Sequence, residues 1–255
     1  MFAINVQKIV NADKLTGKNS AGFIQHVEQS KGNPLQLQPR GCIMAKTKQE
    51  EHIVKYVNQL DYPHLQYVNQ TSYEAPAARE RGEKDTIATA GCGLCCSIMV
   101  ADRLRVLDGD YEVEDARQLS YDVGANRWAG TRGSVFFPAF AEKFNLEFVQ
   151  SNDIEDLLRC LRTGGAAIVL VSGDHDDYHG VFSDRWSHYI VAIAEEPDGR
   201  IAVLDPAYKE GNYEIGDRKG KVEVLSRGFG RTSLQVIQEE TAKKREYAFF
   251  LFWRK

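Results

Sequence analysis

Hydrophobic and polar positions follow two regimes along the chain. From residue 92 to about 163 apolar residues recur at helical spacing, and from 166 onward they fall in runs of strand length. Cys96, Val100, Leu104 and Leu107 form an apolar stripe that predicts a helix over 92–107, stopped by Gly109. A second helix is predicted at 113–123. A third, at 134–144, turns Val135, Phe136, Phe140 and Phe144 inward. A fourth, at 154–163, follows the capping cluster Ser151-Asn152-Asp153 and ends at Gly164-Gly165. Residues 166–172 and 187–194 then read as apolar strands, with further strands at 201–204, 221–225 and 246–253. Pro197-Asp198-Gly199 makes the turn between the second and third of these. Helices first and a mostly antiparallel sheet afterwards predict an α+β domain rather than a doubly wound one.

The first quarter of the chain is polar and rich in Gln and Asn, which sets it apart from the rest. Residues 1–66 are therefore expected to form a partly helical N-terminal extension, and residues 67–255 the main domain. Within the extension the pattern suggests a short strand at 2–10, a helix near 20–29 and a loop at 32–41. A stronger helix starts at Thr47, where Thr47-Lys48-Gln49-Glu50 has the form of a capping box and Ile53, Val54 and Val57 share a face. Residues 73–84 are charged, carry Pro76 and Gly82, and predict a surface loop.

Composition narrows the class of protein. The 255 residues are 43% hydrophobic and 27% charged, which is ordinary for a globular chain. A net charge of -4 and a pI near 5.9 argue against nucleic-acid or anionic-membrane partners. No window approaches 18 uninterrupted apolar residues, so no transmembrane helix is expected. Cys42, Cys92, Cys95, Cys96 and Cys160 are an odd number without a framework spacing, and residues 1–18 lack a signal-peptide pattern. Free thiols in a cytoplasmic setting are the expectation.

Chemistry concentrates at Gly91-Cys92-Gly93, a small-residue turn that carries a cysteine directly into the helix at 92–107. A helix start offers N–H groups without intrahelical partners, whose partial positive charge favours thiolate over thiol. A nucleophilic cysteine also needs a base and a group that orients it. His188 begins an apolar strand, and the next strand ends at Asp205, followed by Pro206. If Glu195 pairs with Arg200, His188 lies opposite Ala207 and Asp205 opposite Ile190, so that His188 and Asp205 share a face. A register shifted by one would separate them unless a bulge corrected it.

These motifs, Gly91-Cys92-Gly93 opening a helix, His188-Tyr189-Ile190-Val191, and Val203-Leu204-Asp205-Pro206 on the following strand, resemble the bacteriocin-processing (double-glycine) peptidase-like group of papain-like cysteine peptidases. The resemblance runs from about residue 67 to the C-terminus. It implies a papain-like fold, a peptide or amide substrate, no cofactor, and a Cys92–His188–Asp205 triad acting through an acyl-enzyme. It also implies an oxyanion hole made of the Cys92 N–H and a side chain. The family usually carries a glutamine six residues before the cysteine, where this chain has Thr86. Gln70, Thr86 and Thr89 are the candidates for that donor.

Other features have plainer readings. Cys92-Gly93-Leu94-Cys95 has the spacing of a redox dithiol, but no βαβ pattern surrounds it. Asp174-His175-Asp176-Asp177-Tyr178-His179 crowds metal-ligand types together, yet reads as a solvated turn flanking the cleft, and no metal is expected. Trp128 and Trp186 are candidates to line a substrate groove, with buried packing as the alternative. Cys42 and Cys160 read as structural.

Overall fold

The apolar run that begins at His188 forms the central strand of a seven-stranded antiparallel sheet. The computed structural model describes residues 54–67, 86–107, 109–127, 130–173, 178–183, 186–243 and 246–255. In chain order the elements are α1 (Ile87–Ala90), α2 (Cys92–Arg103), α3 (Val113–Asp122), β1 (Asn126–Arg127), β2 (Gly130–Thr131), α4 (Gly133–Lys143), β3 (Leu146–Ser151) and α5 (Ile154–Arg162). They continue with β4 (Ala166–Val171), β5 (His188–Glu195), β6 (Arg200–Leu204), β7 (Val222–Ser226), β8 (Phe229–Ser233), α6 (Leu234–Thr241) and β9 (Phe249–Arg254). The large sheet has the order β3-β9-β4-β5-β6-β8-β7, and β1 and β2 make a separate pair. This is the α+β arrangement expected from the sequence, with helices packed on an antiparallel sheet.

Strand alternation divides the core into two layers. Ile168, Val191, Ile193 and Phe252 face the cluster that holds Leu94, Ile98, Phe136 and Phe140 from α2 and α4. Val169, Val171, Ile190, Ala192 and Leu251 face Leu157, Leu161, Val236 and Ile237 from α5 and α6. Both sides of β4 and β5 are therefore covered, which is why their sequences read as continuous apolar runs rather than alternating ones. Burying each of the fully enclosed rings Phe136, Phe137, Phe140 and Phe252 contributes about 1.5–3 kcal/mol.

Several expectations shift at their edges. α2 ends at Arg103 rather than at residue 107, because a Schellman closure stops it. The Val106 N–H donates to Ala101 O and the Arg105 N–H to Asp102 O, both at 2.9 Å, with Arg105 left-handed at φ 55°. α1, β1, β2, β3, β8 and α6 are additional to the elements expected. Residues 54–58, which the capping-box pattern assigns to a helix, are not helical. They run as a strap whose hydrogen bonds go to other parts of the chain, starting with the Lys55 N–H donating to Asp102 Oδ2 at 2.6 Å. The expected elements within residues 1–53 and the loop at 73–84 lie outside the described residues.

The β5–β6 register is the feature that positions chemistry. Near the turn, Glu195 pairs with Ile201 and Ala194 with Ala202, one residue off the expected alignment. A bulge between Ala192 and Ala194 then restores it, giving Ala192 opposite Val203 and Val191 opposite Leu204. Continued by one more pair, this alignment brings Asp205 opposite Ile190, on the face that His188 shares.

Candidate active site

Both glycines of the Gly91-Cys92-Gly93 turn are required by close approach. A Cβ on Gly91 would lie 2.6 Å from Ile87 Cγ2, and one on Gly93 would lie 2.9 Å from Thr131 Cβ. The first lets α1 fold back tightly against the start of α2; the second lets α2 pack on β2. Gly91 closes one helix and opens the next. Its N–H donates to Ile87 O at 2.8 Å, and its carbonyl accepts from Leu94 and Cys95 at 3.0 and 3.1 Å. Cys92 sits between them at the first helical position, and among the described residues its N–H has no acceptor.

Cys92 is partly exposed as a residue, while Cys95 and Cys96 one turn along are buried. Burial pushes the Cys92 thiol up, but the hydrogen bond to His188, the His188 charge and backbone groups of Tyr189 and Gly93 outweigh it and hold the thiol below its ordinary value. Burial pushes Cys95 and Cys96 well up, with the neighbouring Cys92 charge adding to it. Cys96 Sγ donates to Tyr189 O at 3.3 Å. One helical turn thus holds one thiol that is lowered and two that are raised.

His188 Nε2 lies 2.8 Å from Asp205 Oδ1, which leaves Nδ1 as the ring atom for Cys92. Burial lowers the imidazole, yet the hydrogen bonds to Asp205 and Cys92 and the charges of both raise it above the usual histidine range. The three side chains nominated from sequence, Cys92, His188 and Asp205, are therefore brought together, with His188 hydrogen-bonded to Asp205 and close enough to Cys92 for each to shift the other's proton. Asp205 is itself firmly held. Its Oδ1 also accepts from the Ala207 N–H at 2.8 Å, its Oδ2 accepts from Tyr213 Oη at 2.5 Å, and its backbone N–H donates to Gly228 O at 2.8 Å.

The strap at 54–62 closes over the back of this turn. Tyr56 Oη donates to Asp205 O at 2.7 Å, the Gln59 N–H to Pro206 O at 2.7 Å, and Asn58 Nδ2 to Tyr208 O at 2.9 Å. Arg227 adds an ion pair to Asp61 at 2.8 Å. Tyr56, Gln59 and Tyr213 have no local sequence signal for these roles; each acts across a separation that only the folded chain closes.

The remaining candidates fall out as follows. Thr86 is buried at the start of α1, where its backbone bridges to Gln66. Thr89 is exposed, and its hydroxyl accepts from the Thr86 N–H at 3.2 Å and donates to Thr86 O at 3.1 Å. Trp186 is 49% exposed, two residues before His188. Gln70 and Trp128 lie outside the described residues, as do Asp174–Asp177 of the acidic turn. His179 is an exposed partner of Asp217 at 3.7 Å. Among the described residues no group of three His, Cys, Asp or Glu side chains has a metal-site arrangement, and no helix is long and apolar enough to cross a membrane.

No protein-family model matches the chain, and no curated protein matches it in sequence.

Proposed function

We propose that this protein is a cysteine-dependent hydrolase of peptide or amide bonds, with the papain-like architecture that the motif order suggests. The observation that carries the reading is His188 placed between Cys92 and Asp205, hydrogen-bonded to the carboxylate at 2.8 Å, with the thiol lowered and the imidazole raised. Both shifts favour the thiolate–imidazolium form of the pair. The thiolate attacks the carbonyl carbon, and the negative charge that develops on oxygen is met by the N–H of Cys92. The imidazolium gives its proton to the leaving nitrogen as the C–N bond breaks, which yields a thioester on Cys92. His188 then takes a proton from water, hydroxide adds to the thioester, and the thiolate leaves with the acid product. Asp205 keeps the ring oriented throughout.

Acyl transfer to an amine uses the same residues and differs only in the acceptor. A redox role for Cys92 and Cys95 is weakened by the burial of Cys95 and its raised thiol. A cytoplasmic setting remains the proposal that free thiols suggest. The test is labelling with a thiol-directed peptide-amide probe, with products analysed in the presence and absence of added amine. Cys92 is expected to label at least tenfold faster than Cys160, and His188→Ala to remove that advantage. Equal labelling of the two cysteines, or labelling indifferent to His188, overturns the hydrolase reading.

A further inference from the structure

Gln59 is 5% exposed and belongs to the strap, in the 3₁₀ turn Gln59–Asp61. Its side chain is used at one end only. Nε2 donates to Ala88 O at 2.8 Å, whereas Oε1 is buried and meets no donor among the described residues. The carbonyl it contacts fixes which end of the amide is the nitrogen. A stranded acceptor is a cost that a residue kept only for packing would not carry.

The identity of the acceptor explains the arrangement. Ala88 lies four residues before Cys92, so its carbonyl is the one that the Cys92 N–H would bond if α1 ran on into α2. The backbone is close to doing so. Gly91 has φ −92° and ψ 9°, and a turn of roughly 50° in ψ would bring it to helical values. Gln59 already occupies Ala88 O, and the Cys92 N–H is left without an acceptor.

We propose that Gln59 is a positioning residue for the oxyanion site: by taking Ala88 O it holds the break between α1 and α2 and keeps the Cys92 N–H free for the substrate carbonyl oxygen. This deepens the hydrolase reading and rests on it. Without the Gln59 donor, Ala88 O is left as the i−4 acceptor for the Cys92 N–H, and the helix heals at the expense of the oxyanion donor. Gln59 touches no reacting atom. It acts through one backbone group, and at the same time ties α1 to the Pro206 turn that carries Asp205.

The test compares two reactions of Cys92 in the full chain, wild type and Gln59→Met. Alkylation by iodoacetamide needs the thiolate but develops no charge on a carbonyl oxygen; acylation by 4-nitrophenyl acetate develops one. Gln59→Met is expected to slow acylation about 10²-fold and to change alkylation by less than about threefold. A parallel fall in both rates, or no fall in acylation, overturns the proposal. Amide exchange in ¹⁵N-cysteine-labelled protein supplies a readout that needs no turnover, the Cys92 signal being assigned by its loss in Cys92→Ser. In the wild type the Cys92 amide should exchange much faster than those of Cys95 and Cys96, and in Gln59→Met it should slow at least tenfold. A protected Cys92 amide in the wild type overturns the proposal even if the variant does not fold. A wild type that is alkylated but never acylated defeats the hydrolase reading, while the exchange experiment still decides the role of Gln59.

Discussion

Asp205 and Glu240 are both buried carboxylates, 2% and 0% exposed, and the chain uses them in opposite ways. Asp205 spreads its acceptors over both oxygens, with the imidazole and the Ala207 N–H on Oδ1 and the Tyr213 hydroxyl on Oδ2. Glu240, on α6, gathers its donors onto one oxygen. Oε1 accepts from Tyr178 Oη at 2.9 Å and from the Val181 N–H at 2.5 Å, and the Phe182 backbone adds to them, while Oε2 has no partner among the described residues. Its backbone carbonyl also takes Ser172, through N at 2.9 Å and Oγ at 2.7 Å. Burial pushes Glu240 above the usual carboxylate range despite those donors. The carboxylate bound at both oxygens is fixed against the His188 ring. One bound at a single oxygen by backbone and hydroxyl pins the chain that leads into β5, and its proton is a matter of stability.

The widest separation between the two regions should come from truncating each. Asp205→Ala is expected to lower the rate of Cys92 acylation about 10³-fold, because the imidazole loses the group that orients it and favours its protonated form. Glu240→Ala is expected to cost about 3 kcal/mol in urea unfolding at neutral pH, since the Tyr178 hydroxyl and two backbone N–H groups lose their acceptor. Its acylation rate per folded molecule should stay within about fivefold of wild type. If Glu240→Ala slows acylation as much as Asp205→Ala does, the two carboxylates form one unit and the contrast fails.

The same contrast explains what could be read from sequence. Cys92 was legible because small residues flank it at a helix start, and Asp205 because it closes the strand after the one His188 opens. Alternation then brought the pair to one face, and a bulge at Ala192–Ala194 was needed to keep that alignment. Glu240 was not legible, since the helix that carries it, Leu234–Thr241, is itself additional to the expected elements and its anchored segment lies about 60 residues upstream in sequence. β8 escaped for a related reason. Its sequence Phe-Gly-Arg-Thr-Ser has little strand character, and β6 and β7 on either side of it supply the pairing. The strap carried a helical pattern, but its hydrogen bonds to the Asp205 turn outweigh local propensity. Gln59 and Tyr213 act through individual hydrogen bonds to other segments, which leave no periodicity to find.

A smaller effect is expected in the pH dependence of the reactive pair. With the thiol lowered and the imidazole raised, iodoacetamide alkylation of Cys92 should hold its rate well below the ordinary thiol range. Asp205→Asn removes the charge that favours the imidazolium, so alkylation near neutral pH should fall and the acid limb should move up. Stability carries the matching sign. The folded protein binds the His188 proton more tightly than the unfolded chain, whose ordinary value is 6.5. That contribution is complete below 6.5 and is lost as pH rises through the raised folded value. The stability gap between wild type and His188→Gln should therefore narrow as pH rises above neutrality. A gap that widens over that range would mean that His188 is buried neutral and that Cys92 is a resting thiol.

The finest distinction is a single atom at Glu240. Its folded pKa lies above the unfolded one, so the folded state holds the proton more tightly and stability falls as pH rises through the carboxylate range toward the folded value. Glu240→Gln keeps an acceptor for Tyr178 and Val181 while removing the ionisation. The variant should match wild type in acid and exceed it at pH 8, by less than the about 1–3 kcal/mol that one stranded buried group costs. The opposite order at pH 8 would show that the Tyr178 and Val181 donors on Oε1 require a full negative charge. In that case the Glu240 region would be an electrostatic device like that of Asp205, and the difference between the two would lie in the partner and not in the carboxylate.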